Sequence, residues 1–276
     1  MKSFISCLSL ALFLPIFPGQ RPLVWVAIGD SITYLNDHKD ETGHRLTRGY
    51  MTQVTGQLPS VRYVNQGHNG WMATQIARSF DTLHVPAGAD VYSVFLGTND
   101  WWHGNPLGTF RDYTNNTGDS TVYGAFRRIL DKLRQLNRNA TIILLTPMPR
   151  ADFVYINDAR NNAYGSYRKK NGLSLEQIAD AVLAIGRYEK TKVIDLYHEP
   201  SLALSHLVRF KRLKAPGTGV YTNYPYPSYI DIPFHPRSDE YPYPVAAMDM
   251  TYDGLHPSDK GDSVIADRLV KILKKL

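Results

Sequence analysis

Four short polar segments of this 276-residue chain carry the residue types that acyl transfer by a serine requires. Such a reaction needs a nucleophilic hydroxyl, a base within hydrogen-bond reach, a group that orients the base, and donors that stabilise the developing oxyanion. The four segments are, in chain order, GDSIT at 29–33, NQGHNG at 65–70, GTND at 97–100 and DGLHP at 253–257. Together they contain a candidate for each of these roles.

Each role can be assigned to a particular residue. Ser31 would attack the acyl carbon and His256 would take its proton, while Asp253, three residues before the histidine, would hold the imidazole from the same loop. The backbone N–H groups of Ser31 and Gly70 and the side-chain amide of Asn99 would bind the oxyanion. Glycine suits position 70 because a residue without Cβ lets the backbone approach a substrate closely.

Taken singly, each segment also has a simpler interpretation. Ser31 could cap a helix, Asn99 could be a turn residue, and His256 could be a cap or a surface residue. The four segments occur together, each after a predicted strand or before the closing helix. This combination favours the catalytic interpretation.

The stretches around these segments alternate between strand and helix patterns. Strands are predicted from residue 24 into the first segment and at 61–67, 90–100, 141–147 and 193–197, and helices at 49–59, 71–83, 121–136, 174–188 and 258–274. The strand at 90–100 is expected to run into a polar turn. This alternation predicts a parallel sheet of about five strands with helices on both faces. Because sites in such sheets form at the carboxyl ends of the strands, the four segments are expected to converge in space.

In these segments the sequence resembles the SGNH (GDSL-type) hydrolase family, whose signature blocks they match in order. The resemblance implies Ser31 as nucleophile, Gly70 and Asn99 as oxyanion donors, and Asp253 with His256 as the rest of a catalytic triad. It also implies a flavodoxin-like three-layer α/β/α sandwich and neither a metal nor an organic cofactor. The serine lies near the N-terminus and outside a Gly-x-Ser-x-Gly motif, which argues against the ordinary α/β-hydrolase fold.

The composition, with 43% hydrophobic and 20% charged residues, is typical of a globular α/β domain of good size. We expect a single domain over residues 21–276. Three insertions into a minimal version of this fold are predicted at about 34–48, 150–171 and 200–250. All three leave from or return to the predicted catalytic edge, so they should shape its pocket.

The first twenty residues indicate export. The apolar run at 4–17 is shorter than a membrane span, so residues 1–20 are predicted to be a cleaved signal peptide, with no stable membrane anchor and a periplasmic or extracellular mature protein. Cys7 is the single cysteine, so the mature protein would have neither disulfides nor a cysteine-based zinc site. The net charge of +6 comes without a nucleic-acid motif, so no nucleic-acid partner is expected.

The sequence is less specific about the substrate. The predicted insertion at 200–250 is rich in tyrosine and proline and, outside 202–213, poor in the aliphatic residues that a lipid chain would need. Tyrosine offers an apolar face and a hydroxyl, which suit a sugar, although these rings could instead pack the insertion against the body of the protein. Further candidate substrate contacts are His68, Trp101, Trp102 and Tyr252.

These features lead to the hypothesis of a secreted serine esterase with a small-molecule or glycan ester as its substrate. The favoured reaction is removal of acetyl or another small acyl group from a carbohydrate. A lipase, a lysophospholipase or an aryl esterase of the same family is the alternative. From another class, a non-catalytic glycan-binding protein on the same fold is considered, but the intact set of Ser31, Asn99, Asp253 and His256 speaks against it.

Overall fold

The computed structural model of the protein describes residues 21–276, so the predicted signal peptide at 1–20 lies outside the described residues. The strands are β1 (Leu23–Gly29), β2 (Val61–Gly67), β3 (Val91–Phe95), β4 (Thr141–Leu145), β5 (Phe153–Val154), β6 (Asn162–Ala163), β7 (Lys192–Ile194), β8 (Lys211–Lys214) and β9 (Tyr221–Tyr224). The α-helices are α1 (Ser31–Tyr34), α2 (Tyr50–Gln57), α3 (Ala73–Ser79), α4 (Thr98–His103), α5 (Phe110–Thr114), α6 (Val122–Leu136), α7 (Leu175–Glu189), α8 (Leu204–Leu207) and α9 (Asp259–Leu273).

Five of these strands form one parallel sheet in the order β2-β1-β3-β4-β7. The other four form two antiparallel hairpins, β5-β6 and β8-β9. Helices α2 and α9 pack together on one face of the sheet, and α3 and α6 pack together on the other. The predicted three-layer α/β/α sandwich with a central sheet of five parallel strands is therefore confirmed.

Strand β1 lies inside the sheet and is buried on both faces. Its residues alternate between two hydrophobic cores, with Trp25 and Ala27 in the core under α2 and α9 and Val26 and Ile28 in the core under α3 and α6. This double burial explains why the strand is almost continuously apolar, as expected for a parallel strand covered by helices on either side. The strand thus delivers the GDSIT segment to a fixed point at the carboxyl edge of the sheet.

The GTND segment differs from the expected polar turn. Strand β3 ends at Phe95, and Thr98 already begins helix α4. Gly97 makes this change of direction with a φ of +120°, a backbone conformation that residues with a Cβ rarely adopt. Asn99 therefore lies in the first turn of a short helix.

The segments predicted as insertions lie between these core elements. Residues 34–48 include a short 3₁₀-helix, Lys39–Thr42; residues 150–171 hold the β5-β6 hairpin; and residues 200–250 hold α8 and the β8-β9 hairpin. Two tyrosines of the last segment, Tyr229 and Tyr243, are fully buried in the core beside α9. At these two positions the tyrosine side chains therefore pack the segment against the body of the protein.

The described chain begins and ends at the edge of the sheet opposite the carboxyl ends of the strands. Arg21 and Leu276 line one cavity there, together with Leu23 and Thr141, which open β1 and β4. Within residues 21–276, no helix combines the length and the apolar character needed to cross a bilayer.

Candidate active site

The nucleophile candidate stands where β1 passes into α1. Ser31 is the first residue of α1, and Asp30 caps this helix because its Oδ1 accepts a hydrogen bond from the backbone N of Ile32 at 3.0 Å. Glycine is required at position 29, since a Cβ there would lie 2.0 Å from Oγ1 of Thr33. The local sequence Gly-Asp-Ser thus makes the tight exit from the strand and presents the serine hydroxyl, with Ser31 6% exposed.

The base candidate lies in residues 251–257, which we call the triad loop. Thr251 and Pro257 form an isolated β-bridge at its base, and the backbone N of Tyr252 donates to the carbonyl of His256 at 3.1 Å. Oδ1 of Asp253 accepts the backbone N–H of His256 at 2.8 Å. The carboxylate therefore shapes the loop as well as orienting the ring.

The structure brings the three residues of the predicted triad together. Nδ1 of His256 lies 2.7 Å from Oδ2 of Asp253, and Nε2 of His256 lies 2.9 Å from Oγ of Ser31. Asp253 is fully buried, and an ionised carboxylate only accepts hydrogen bonds, so the Nδ1 proton points to it. Nε2 of a neutral imidazole is then free to accept the serine proton.

Two of the predicted oxyanion donors follow the strands that flank β1: Gly70 lies three residues after the end of β2, and Asn99 lies in helix α4, after β3. Nδ2 of Asn99 donates to the carbonyl of Trp71 at 3.0 Å, which brings this amide to the residue next to Gly70. The amide carries two N–H groups, so a second donor remains for an oxyanion. Gly70 has a φ of +76°, and a Cβ there would meet no protein atom within 4 Å, so its backbone conformation is what favours glycine.

Two buried carboxyl groups lie beneath this site. Burial raises the pKa of Asp30 to about 6, with the charge of His256 and a backbone hydrogen bond acting in the opposite direction. Burial also raises the pKa of Asp100, although its carboxylate accepts the backbone N of Ala73 at 2.7 Å and Nδ2 of Asn105 at 3.1 Å. The motifs GDSIT and GTND contain both aspartates, but the sequence analysis gave them no role.

Two of the predicted substrate contacts are wrong because their side chains are buried. Trp101 is 0% exposed and donates its Nε1 hydrogen to the carbonyl of Leu173 at 3.0 Å. Tyr252 is 1% exposed and lies stacked on His256, with ring centroids 5.8 Å apart. Neither ring can reach a substrate, and Tyr252 instead supports the imidazole from behind.

The other two predicted contacts are partly exposed and stay predictions. Trp102 has two cations near its ring, with Nζ of Lys170 and the guanidinium carbon of Arg150 at 4.4 Å and 4.7 Å from the ring centroid. His68 stacks on Trp71 with ring centroids 4.6 Å apart. Burial lowers the pKa of His68, so its ring is neutral at neutral pH.

An aromatic residue that the sequence analysis missed also touches the base. The ring of Phe153 meets the imidazole of His256 edge to face, with centroids 5.5 Å apart. Phe153 forms a small apolar cluster with Ala163 and Leu255, and Trp102 and Tyr155 pack against it. No motif marks Phe153, because it lies in the segment at 150–171 and reaches the site only through the tertiary fold.

The comparisons with known proteins agree with this fold. The model of the GDSL-like lipase/acylhydrolase family matches residues 27–264. The protein is a hydrolase of the esterase and lipase class, and the chain belongs to the GDSL-like lipase/acylhydrolase family. No curated protein matches the chain.

Solved structures extend the comparison. A possible lipase from Chitinophaga pinensis is 59% identical, with a TM-score of 0.90 over 92% of this chain and 98% of that one. The acetyl xylan esterase AlAXEase is 15% identical, with a TM-score of 0.53 over 90% and 98%. A variant of an acetyl-xylooligosaccharide esterase from Geobacillus is 19% identical, with a TM-score of 0.50 over 90% and 92%. At these identities the two acetyl esterases share only the fold with this chain.

Proposed function

We propose that the protein is an exported serine esterase that removes acetyl or another small acyl group from a carbohydrate. The observation that carries the proposal is the continuous hydrogen-bonded chain from Asp253 through His256 to Ser31, with distances of 2.7 Å and 2.9 Å. This arrangement is the one that activates a serine hydroxyl for attack on an ester.

The proposed reaction has two stages. In the first, Oγ of Ser31 bonds to the acyl carbon, its proton passes to Nε2 of His256, and the carbonyl electron pair moves onto the oxygen. The N–H groups of Ser31, Gly70 and Asn99 stabilise this oxyanion. The imidazolium then gives its proton to the alcohol oxygen as the ester C–O bond breaks, which leaves an acyl-serine. In the second stage water attacks the acyl-serine with His256 as base, and the acid is released.

The small acyl group is supported by the low exposure of the reacting side chains. Ser31 and His256 are each only 6% exposed. The apolar surface beside the imidazole comes from the small cluster of Phe153 and Leu255, with Trp102 packed against it. The similarity of the fold to two acetyl esterases of xylan or xylooligosaccharides agrees with a carbohydrate ester.

A second candidate function rests on one observation. The possible lipase from Chitinophaga pinensis is 59% identical to this chain, far more than the acetyl esterases are. A lipid or aryl ester is therefore the alternative substrate on the same catalytic machinery.

Acyl-chain selectivity separates these two functions. The experiment compares kcat/KM for acetylated xylooligosaccharides and for 4-nitrophenyl esters from C2 to C8, with Ser31→Ala as the control for background hydrolysis. The carbohydrate proposal expects cleavage of the acetylated sugar and a fall in kcat/KM of about tenfold or more from C2 to C8, because a site specific for a small acyl group discriminates against a longer chain. A rise from C2 to C8 with no release of acetate from the sugar would assign the lipid alternative.

A non-catalytic glycan-binding role has its own test. A fluorophosphonate probe labels a serine that is activated by a neighbouring base, and it needs no knowledge of the natural substrate. We expect stoichiometric labelling of the protein and none of Ser31→Ala. Absence of labelling in the folded protein would rule out the esterase.

A further inference from the structure

We propose that Asp152 and Lys211 are positioning residues for the catalytic base, acting through residues 151–154, which we call the strap. The two residues come from two different predicted insertions, at 150–171 and 200–250. The inference rests on the proposed function, because it takes His256 to be the base. It assigns to these insertions a part in the chemistry besides lining a pocket.

The strap holds the triad loop on both sides of Gly254. The backbone N of Ala151 donates to the carbonyl of Gly254 at 2.9 Å, and the backbone N of Val154 donates to the carbonyl of Asp253 at 3.1 Å. Between these two bonds, Phe153 places its ring edge against His256. A shift of the strap would therefore move the base and its orienting carboxylate together.

The strap is held in turn by the side chain of Asp152, which is 8% exposed. Its Oδ1 accepts the backbone N of Gly165 at 2.9 Å and the hydroxyl of Tyr167 at 2.5 Å. Its Oδ2 accepts Nζ of Lys211 at 2.8 Å. The backbone carbonyl of Asp152 accepts the hydroxyl of Tyr243 at 2.5 Å. Four donors, from residues 165 and 167, Lys211 and Tyr243, therefore converge on one residue of the strap.

The ammonium group of Lys211 compensates the buried carboxylate of Asp152. Lys211 is 4% exposed, and its ammonium group lies 5.6 Å from the ring centroid of Phe234 and 5.8 Å from that of Tyr229. Removing one member of such a pair leaves an uncompensated buried charge, whereas removing both avoids that penalty. Loss of Lys211 alone should therefore displace Asp152, and the strap with it.

The expected result is a loss of turnover rather than of substrate binding. A displaced strap changes the approach of Nε2 of His256 to Oγ of Ser31, and rates fall steeply with misplacement of about 1 Å. We expect Lys211→Met to lower kcat by about 10–10²-fold with KM changed less than about threefold. The rate of fluorophosphonate labelling of Ser31 should fall by a similar factor, because labelling depends on the base and not on sugar binding.

Three further variants make the test specific. The double variant Asp152→Asn with Lys211→Met should recover most of the lost kcat, since no unpaired charge remains and asparagine still accepts from Gly165. Tyr243→Phe removes a single hydroxyl donor to the strap, keeps the ring, and should lower kcat roughly fivefold. Arg134→Met, which breaks the ion pair with Glu189 at the opposite edge of the sheet, is the matched control and should keep kcat.

All rates are measured well below the unfolding temperature of each variant, so that only folded protein is compared. If Lys211→Met does not fold, kcat and the labelling rate of Tyr243→Phe and of the double variant test the proposal. Wild-type kcat and labelling in folded Lys211→Met or in Tyr243→Phe would overturn the proposal, as would an equal loss in Arg134→Met. A wild-type protein that neither labels nor cleaves esters would instead overturn the proposed function.

Discussion

The two halves of the candidate active site are held in place in different ways. The nucleophile half, residues 29–34, continues directly from β1, which pairs with β2 on one side and β3 on the other. The base half is the triad loop, residues 251–257, which lies between the strap and the start of α9 and contains neither a helix nor a regular strand. Backbone ladders position the serine, whereas tertiary contacts position the histidine.

Substitutions in the two halves should therefore have different effects on stability and activity. The position of Ser31 follows from the backbone pairing of β1 in the sheet, to which the serine side chain does not contribute, so a substitution of Ser31 should change the chemistry and leave the fold intact. The position of His256 depends on residues about 100 positions earlier in the chain, through the bonds of Ala151 and Val154. A substitution in the base half should therefore change stability and activity together.

The largest effect is expected in the nucleophile half. Ser31→Ala should abolish ester cleavage, by at least about 10⁴-fold in kcat, because no other group can take over the attack. Its thermal unfolding should stay close to that of the wild-type protein. Turnover that survives in this variant would remove Ser31 from the mechanism.

The next effect concerns the oxyanion donors that complete the nucleophile half. Asn99→Ala removes one donor and should lower kcat by about 10²–10³-fold. Steady-state kinetics on the preferred ester would measure it. A loss smaller than tenfold would mean that the N–H groups of Ser31 and Gly70 suffice.

In the base half, a substitution of Gly254 is expected to lower both stability and activity. This residue has a φ of +90°, and a Cβ there would lie 2.0 Å from the backbone carbonyl oxygen of Asp152. Gly254→Ala should therefore lower the free energy of unfolding by about 2–4 kcal/mol and lower kcat at least about tenfold. Denaturant unfolding and kinetics on the same preparation would measure both.

Gly88→Ala is the matched control for Gly254→Ala. Gly88 has a similar φ of +77° but open space where a Cβ would lie. Gly88→Ala should lower the free energy of unfolding by only about 1 kcal/mol, because only the backbone conformation is unfavourable for alanine there, and kcat should be unchanged. An equal loss of unfolding free energy in Gly88→Ala and Gly254→Ala would contradict the close fit between the triad loop and the strap.

The smallest effect is a pH dependence in the nucleophile half. Asp30 has a pKa of about 6 in the folded protein, above the ordinary carboxyl value, so the folded state holds a proton that the unfolded state releases between about pH 4 and 6. Stability is therefore lost as the pH rises through this window. Asp30→Asn keeps an oxygen for the cap, never ionises, and should be more stable than the wild type by about 1–3 kcal/mol above pH 6. Urea unfolding at pH 4 and pH 7.5 would show the difference vanish at the lower pH.

The same contrast explains what the sequence could predict. The parallel sheet and the place of Ser31 at its carboxyl edge were predictable because the first three polar segments follow apolar strands, and such strand ends share one edge. The meeting of Ser31 with His256 was predictable from the resemblance of all four segments, in order, to the signature blocks of the family. The strap was not predictable, since Asp152 and Lys211 are 59 residues apart and form no local pattern. Trp101 was misjudged because GTND was taken as a turn, whereas helix α4 directs Trp101 into the core.

The cavity shared by Arg21 and Leu276 has a practical consequence. Both ends of the described chain line this cavity, on the side of the molecule that faces away from Ser31. A short peptide linker could join them, and new ends could be opened in a surface loop to give a circularly permuted protein. Attachment to a solid support through the C-terminus would likewise leave Ser31 turned toward the solution.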